Sequence, residues 1–219
     1  MPDRDSVDAI LMASGFSRRF GKENKLLVPF RGKPLVRYTL DLVMALNNAG
    51  APDPDADRFG QVFFVAADPA VIALAEAFRT ETRNSAGPSL GIIRNAAPGR
   101  GQRESIRLGV SASEAVYYLF FPCDQPLLDG GTVRRLLAAR REGCIVQPAF
   151  RGKPGNPVLF SAAFREELLS LGPGEHPRDI KNRHPEALVT LELAGGEALF
   201  DIDDPETLKH LEKGFSGCG

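Results

Sequence analysis

The sequence contains few cysteines, no long apolar run and almost no net charge. Its three cysteines, Cys123, Cys144 and Cys218, are an odd number without metal-site spacing, which argues against a disulfide framework or a zinc cluster and favours a reducing cytoplasm. The longest uncharged apolar stretch, Ala115–Cys123, is far shorter than the roughly 20 residues of a membrane-spanning helix. Because 27 basic residues face 28 acidic ones, the total charge gives no reason to expect binding to nucleic acid or to a membrane.

The length and the hydropathy pattern indicate one α/β domain over residues 1–219. Up to residue 148, short apolar runs alternate with helical patterns, which predicts a three-layer αβα, Rossmann-like and mostly parallel sheet. Beyond it, Gly- and Pro-rich turns predict a small α+β C-terminal part with hairpin strands near Leu188–Leu193 and Ala198–Ile202. No internal repeat is apparent.

The loop that follows the first predicted strand, Val7–Ala13, has the composition of a polyphosphate cradle. Its sequence is SGFSRRFGKEN, and residues 15–37 contain seven basic residues and one acidic residue. Gly15 and Gly21 allow close approach of backbone amides to a ligand, and ligands of parallel sheets bind at the carboxyl ends of strands. The glycine spacing matches neither the dinucleotide fingerprint nor the P-loop. The alternative is a solvated basic loop.

A carboxylate, Asp124, directly follows the apolar strand predicted at Val116–Pro122. A nucleoside triphosphate brings about four negative charges, and magnesium is commonly held by one or two carboxylates together with phosphates. Asp124 is therefore a candidate metal ligand. The alternative is that Asp124 caps the helix that follows.

Residues 11–26, LMASGFSRRFGKENKL, resemble the L-x-A-G-x-S-x-R-x-G-x-x-N-K-L signature of the molybdenum cofactor cytidylyltransferases and their guanylyltransferase relatives. The resemblance implies that Arg19 and Lys25 hold the triphosphate and act in catalysis. It also implies that the base and ribose of the nucleotide pack against the main chain of Gly15 and its neighbours, with Met12, Ala13, Ser14, Gly15 and Ser17 as the nucleotide-binding residues. Ser14 departs from the pattern, because cytidylyl enzymes usually have Ala there and guanylyl enzymes Gly.

Three further segments resemble motifs of this family. Cys123-Asp124-Gln125-Pro126 is similar to the D-Q-P motif of the cytidylyl enzymes, which implies that Asp124 ligates Mg²⁺ and that the nucleotide is CTP; the guanylyl relatives more often have D-M-P. Residues 201–206 are similar to the D-I-D-x-P-E-D box, which implies a second metal ligand, Asp203, although Asp204-Pro205 also suits the start of a helix. The third segment, residues 95–106, is similar to the family's N-x(5)-G-x(3)-S-[IL] box, which implies nucleotide contacts from Asn95, Gly101 and Ser105.

The acceptor side of the resemblance comprises Gln125, Asn156, Pro157 and Arg178. Asn156 and Pro157 belong to a G-x-P-V-like box. Arg178 corresponds to the arginine of the family's G-D-x-G-A-R motif, whose aspartate is missing here. The resemblance therefore divides the domain into a nucleotide-binding part, 1–143, and an acceptor-binding part, 144–219.

The expected activity is Mg²⁺-dependent transfer of CMP from CTP to molybdenum cofactor, a phosphorylated pterin, with release of pyrophosphate. No general base is required, because the second pKa of a phosphate monoester is about 6. This agrees with the position of all three histidines in the last quarter of the chain.

Three alternatives stay open. The first is a transferase that uses GTP or another phosphorylated acceptor. The second is a non-catalytic protein that binds nucleotide or hands the cofactor to a molybdoenzyme, as a chaperone does. The third is a glycosyltransferase, which would normally carry a D-x-D pair on the metal-binding strand.

Overall fold

The computed structural model describes residues 6–15, 18–21, 23–47, 58–83 and 87–214. The strands are β1 (Val7–Ala13), β2 (Pro29–Phe30), β3 (Lys33–Pro34), β4 (Phe59–Ala66), β5 (Ser89–Arg94), β6 (Tyr117–Pro122), β7 (Ile145–Phe150), β8 (Lys153–Pro154), β9 (Val158–Ser161) and β10 (Leu188–Glu192). The α-helices are α1 (Leu35–Leu46), α2 (Pro69–Glu81), α3 (Gln102–Ala112), α4 (Gly130–Ala138), α5 (Arg165–Leu169), α6 (Pro177–Arg183) and α7 (Pro205–Gly214). Among these described helices, none combines the length and the apolar character needed to cross a bilayer.

One mixed sheet organises the molecule, in the order β10-β7-β9-β6-β1-β4-β5, with β8 paired to β7. β1 lies between β4 and β6 and runs parallel to both. β9 runs antiparallel between β6 and β7. The expected three-layer, mostly parallel architecture is confirmed, and strands from both the 1–143 and the 144–219 parts join the same sheet.

The predicted hairpin at Leu188–Leu193 and Ala198–Ile202 is wrong. Leu188–Glu192 forms β10, which pairs parallel with β7. Residues 197–199 form a 3₁₀ turn, and the chain then continues without strand pairing. The reason is tertiary packing: Phe200 is 51% exposed, whereas Ile202 is fully buried in a separate cluster with α7 and the β2–β3 hairpin.

Helices cover both faces of the sheet. On one face Val7, Ala9 and Leu11 of β1 share a core with α1, α2 and α4. On the other face Ile10 packs with residues of α3, α5 and α6. A strand buried on both sides is expected to be almost continuously apolar, which is why β1 is recognisable from its sequence.

A third cluster joins the β2–β3 hairpin and the start of α1 to the C-terminal helix α7. It consists of Phe30, Leu35, Ile202, Leu208 and Leu211, all buried. Helix α7 thereby packs against the β2–β3 hairpin, which follows the 3₁₀ turn at residues 25–27. This packing holds the segment before α7 beside the carboxyl ends of the central strands.

The chain contains a short repeat that our sequence analysis missed. Phe30–Pro34 and Phe150–Pro154 both read FRGKP, and each forms a tight antiparallel hairpin. Both central residues of each turn have positive φ: 49° and 79° for Arg31 and Gly32, and 51° and 72° for Arg151 and Gly152. Such a pair of positive φ angles is typical of the type I′ hairpin turn.

We predict that Gly109→Ala destabilises the fold. A Cβ atom at Gly109 would lie 2.5 Å from Ile10 Cγ2, and overpacking of about 1–3 kcal/mol should outweigh the gain of up to about 1 kcal/mol from higher helix propensity. Denaturant unfolding should show a lower free energy of unfolding for Gly109→Ala. Gly99→Ala is the control, since nothing lies within 4 Å of its added Cβ; unchanged or higher stability of Gly109→Ala would contradict the packing described.

Candidate functional site

The loop after β1 is anchored to the neighbouring β4–α2 junction. Asn24 Oδ1 accepts a hydrogen bond from Leu26 N–H (3.1 Å), which caps the 3₁₀ turn at 25–27. Asn24 Nδ2 donates to Asp68 Oδ2 (3.1 Å), and Asp68 in turn caps α2. Asn24 therefore fixes the start of the segment that carries Lys25. Ser17 lies outside the described residues.

Lys25 lies between two carboxylates from distant parts of the chain. Its Nζ donates to Asp124 Oδ2 at 2.6 Å and to Asp203 Oδ1 at 2.9 Å. Burial alone would lower the pKa of Lys25, but the two carboxylates outweigh it, Asp124 foremost, and the pKa is raised above its usual value. The structure thus brings together Lys25, Asp124 and Asp203, and the side chain of Lys25 is only 13% exposed.

Neither Asp124 nor Asp203 caps a helix in the structure. Helix α4 is capped by Asp129, whose Oδ1 accepts from Thr132 N–H at 2.9 Å. Helix α7 is capped by Asp204, whose Oδ1 accepts from Thr207 N–H at 2.7 Å. The two carboxylates at Lys25 are therefore free of the structural role that we considered for them.

A backbone hydrogen bond aligns the two segments that supply the carboxylates. Ile202 N–H donates to the Asp124 carbonyl at 2.9 Å, and the Ile202 side chain enters the third cluster. Asp201 and Asp203 flank this buried anchor. Arg19 lies at the outer edge, where its Nη1 is 3.7 Å from Asp203 Oδ2 and both side chains are more than half exposed. Such an exposed pair contributes little to stability.

Gln125 is directed into the protein, toward the segment before α7. Its side chain is buried, and Nε2 donates to Asp201 Oδ1 (2.8 Å) and to the Leu199 carbonyl (3.3 Å). Gln125 thus positions Asp201 through Nε2, and the acceptor contacts predicted for Gln125 stay a prediction. Although Asp201 keeps part of its surface exposed, desolvation of its carboxyl group and the negative charge of Asp124 raise the pKa of Asp201 to about 6.

A cavity of about 240 Å³ opens beside the Lys25 cluster. Seven of the predicted site residues line it: Met12, Ser14, Gly15, Lys25, Gly101, Ser105 and Asp124. Our sequence analysis did not single out the remaining lining residues, Leu26, Pro98, Gln102, Pro122 and Cys123. Four of the five lie within two residues of a predicted residue and Pro98 lies between Asn95 and Gly101, so proximity in the chain was the signal that could have found them. We call this space the first cavity.

Three residues predicted to contact nucleotide also have packing or hydrogen-bonding partners within the protein, and their nucleotide contacts stay predictions. Ala13 is buried in the core below β1. Asn95 is buried, and its side chain donates to Ser105 Oγ (3.2 Å) and accepts from Ala97 N–H (2.9 Å), so it shapes the loop before α3. Ser14 lines the first cavity, but its hydroxyl donates to the Val65 carbonyl of β4 (3.1 Å). This bond uses the hydroxyl that distinguishes Ser14 from the Ala or Gly of relatives.

A second cavity, of about 220 Å³, shares the residues Met12 and Gln102 with the first. Asn156 and Arg178, two of the predicted acceptor residues, line it. Pro157 is buried and follows Asn156 through a cis peptide bond. The two cavities therefore meet across the Met12 and Gln102 side chains, whose Sδ and Nε2 atoms are 3.7 Å apart.

The Asp124 and Asp203 pair fits a hard divalent cation. Carboxylate oxygens are the ligands that such ions prefer, and Asp124 Oδ1 is buried without a hydrogen-bond partner among the described residues. The part of the chain that the structure describes holds no group of three or more His, Cys, Asp or Glu side chains arranged for a metal ion. Two carboxylates suit Mg²⁺ that is also held by substrate phosphates.

The raised pKa of Asp201 predicts that Asp201→Asn is more stable than the wild type at pH 8 and equally stable near pH 4. The folded state holds the proton more tightly than the unfolded chain, so the stability associated with Asp201 is present below its unfolded pKa of about 3.9 and is lost as the pH rises through about 6. Thermal unfolding across this pH range measures the effect. The exposed Glu114→Gln is the control, and a pH-independent difference for Asp201→Asn would contradict the assignment.

Comparisons with known proteins identify the family of this chain. Residues 9–187 match the family described as "MobA-like NTP transferase domain". A molybdenum cofactor guanylyltransferase of Shewanella baltica strain OS155 is 26% identical over 94% of this chain and 95% of its own length. The corresponding protein of Shewanella sp. strain MR-4 is 27% identical over 94% of both chains.

Solved structures with the same fold include a nucleotidyl transferase from Methanothermobacter, with a TM-score of 0.73 and 18% identity over 98% of this chain and 99% of that chain. Rv0371c from Mycobacterium tuberculosis H37Rv has a TM-score of 0.70 and 20% identity over 95% and 98%. A structure of Rv0371c in complex with manganese has a TM-score of 0.65 and 18% identity over 95% and 98%. The family match covers most of the chain. It shows that this protein belongs to the MobA-like nucleotidyltransferases.

Proposed function

We propose that this nucleotidyltransferase transfers GMP from GTP to the phosphate of molybdenum cofactor and releases pyrophosphate. The observation that carries the proposal is the convergence of Lys25, Asp124 and Asp203 beside a cavity at the carboxyl ends of β1 and β6. The choice of GTP and of the pterin acceptor rests on the guanylyltransferases that align with nearly the whole chain.

CTP is the second candidate donor, because Cys123-Asp124-Gln125-Pro126 resembles the motif of the cytidylyl enzymes. The relatives that align with nearly the whole chain are instead guanylyltransferases. The guanylyl proposal therefore stands first, and the CTP expectation remains a prediction.

The residues at the first cavity would neutralise the charge of the reacting phosphates and hold them in position. A phosphate monoester is already largely dianionic near neutral pH, since its second pKa is about 6, and no described histidine lines the cavity. Lys25 and Arg19 are the cations that would contact the triphosphate. Alignment of the two reacting phosphates and neutralisation of their charge are sufficient to account for a large acceleration.

Asp124 and Asp203 would hold a divalent cation when nucleotide is present. In the structure the Lys25 ammonium lies within hydrogen-bond distance of both carboxylates, so it balances their charge. We expect phosphate oxygens to compete for Lys25 and to free carboxylate oxygens for the cation. The chemistry that the cation supplies is polarisation of the reacting phosphoryl group and stabilisation of the leaving pyrophosphate. The manganese complex of Rv0371c supports a divalent cation, and Mg²⁺ is our proposal for the cation used here.

The proposal predicts that pyrophosphate appears when the protein is incubated with Mg²⁺, molybdenum cofactor and GTP, and that mass spectrometry detects the guanine dinucleotide product. CTP, ATP and UTP are assayed in parallel. Turnover with CTP alone would overturn the guanylyl assignment and support the second candidate. Absence of pyrophosphate with all four nucleotides would contradict nucleotidyl transfer to this acceptor.

Matched variants connect the activity to the site. Asp124→Asn should lower the rate by about 100-fold or more, as expected for loss of one preorganised electrostatic contact. Asp204→Asn is the control, because Asn caps a helix about as well as Asp and Asp204 is adjacent to Asp203 without contacting Lys25. Equal activity of the two variants would show that the Lys25 cluster is not the reaction site.

A further inference from the structure

The second cavity has one apolar wall and one basic end. Ile106, Phe120, Val158 and Phe160 form the wall, with the Phe120 and Phe160 rings packed edge to face at 5.8 Å between centroids. His176, Arg178 and Lys181 line the cavity from α6 and the residue before it. None of the described lining residues is acidic.

Lys181 is a partly buried cation whose contact is with a neutral group. Its Nζ donates to the side-chain oxygen of Gln147 on β7 at 2.5 Å, and no carboxylate among the described residues forms an ion pair with it. Burial lowers the pKa of Lys181, and no nearby charge counteracts that effect. A cation removed from water without an anionic partner is unfavourable.

Lys25 provides the comparison within the same molecule. Both lysines are partly buried, but Lys25 has Asp124 and Asp203 as partners, and its pKa is raised. Lys181 is also partly buried, but no carboxylate of the described residues forms an ion pair with it. The missing negative charge at Lys181 is best explained if a ligand supplies it.

Arg178 adds a second cation that can reach the same space. It lines the cavity, its side chain is 72% exposed, and among the described residues its acidic contact is with Asp179, at 4.0 Å. An exposed guanidinium of this kind is available for bidentate binding to phosphate.

We infer that Lys181 and Arg178 form the anion-binding end of the second cavity, and that the ligand is a planar, phosphate-bearing molecule whose ring packs on the apolar wall. The inference rests on the proposed function, because such a ligand is the acceptor of nucleotidyl transfer. Met12 and Gln102 line both cavities, so a molecule bound here lies next to the nucleotide. Lys181 is then a specificity-determining residue for the acceptor that the family resemblance did not indicate.

Phenyl phosphate, a planar aromatic phosphate monoester, is the probe, and its binding to the full-length protein is measured by calorimetry. Lys181→Met should weaken its affinity by about tenfold or more, as expected for loss of a charge-assisted hydrogen bond. Lys181→Arg should bind nearly as the wild type does. Lys153→Met, which removes an exposed lysine of β8, and Lys25→Met, which removes the cation of the first cavity, should leave binding of the probe unchanged.

Gln147→Glu tests the same idea without removing Lys181. The substitution places a carboxylate at the position that now contacts Nζ at 2.5 Å, so it neutralises the cation in place and should weaken phenyl phosphate binding as Lys181→Met does. If the role of Lys181 were only structural, Gln147→Glu would not weaken phenyl phosphate binding, since a carboxylate partner would stabilise the lysine. This variant keeps the test valid if Lys181→Met fails to fold.

Inorganic phosphate distinguishes a site for the free anion from a site for an aromatic phosphate. The apolar wall predicts tighter binding of phenyl phosphate than of inorganic phosphate, and equal affinities would overturn the planar part of the inference. Absence of phenyl phosphate binding to the wild type, or equal binding to the wild type, Lys181→Met and Gln147→Glu, would overturn the anion site. Titration of GTP with Mg²⁺ into the same proteins reports separately on the proposed function. If the protein binds GTP but the Lys181 variants bind phenyl phosphate as the wild type does, the inference is refuted while the proposed function stands.

Discussion

The candidate site depends on one partly buried ammonium group, that of Lys25, held by two carboxylates. Lys25, Asp124 and Asp203 lie 99 and 178 residues apart in sequence, and their contact joins the loop after β1, the end of β6 and the segment before α7. The cluster is not self-supporting. Asn24 anchors the loop to Asp68, and the backbone bond from Ile202 to Asp124 aligns the C-terminal segment.

The sheet topology explains why the site lies where it does. β1 is flanked by β4 on one side and β6 on the other, so the chain order reverses on either side of β1. Crevices at such a reversal, beyond the carboxyl ends of the strands, are the usual ligand sites of open α/β sheets. The first cavity occupies this crevice, and the second lies under α3 and α6 and meets the first at Met12 and Gln102. Under the proposed function, this arrangement would place two phosphate-bearing substrates with their reacting groups close together.

Residues with strong local constraints could be predicted from the sequence. β1 is buried on both faces, so its apolar run was unambiguous, and its bounds agree with the structure. Lys25 and Asp124 follow strands that are neighbours in the sheet, which made their proximity predictable. Parts that depend on tertiary packing could not be predicted in this way. Residues 198–202 alternate like a strand, but Phe200 is exposed and Ile202 packs against α7 and the β2–β3 hairpin. The inward direction of Gln125 likewise depends on Asp201, which lies 76 residues away.

The central claim is that the Lys25 cluster holds the triphosphate and its cation. A crystal structure of the protein with GTP and Mn²⁺ tests it directly, because anomalous scattering locates the metal without assumptions about the ligand. We expect a manganese peak ligated by Asp124 and Asp203, with the phosphates beside Lys25. A triphosphate bound elsewhere, with the Lys25 ion pairs intact and no metal at Asp124, would contradict it.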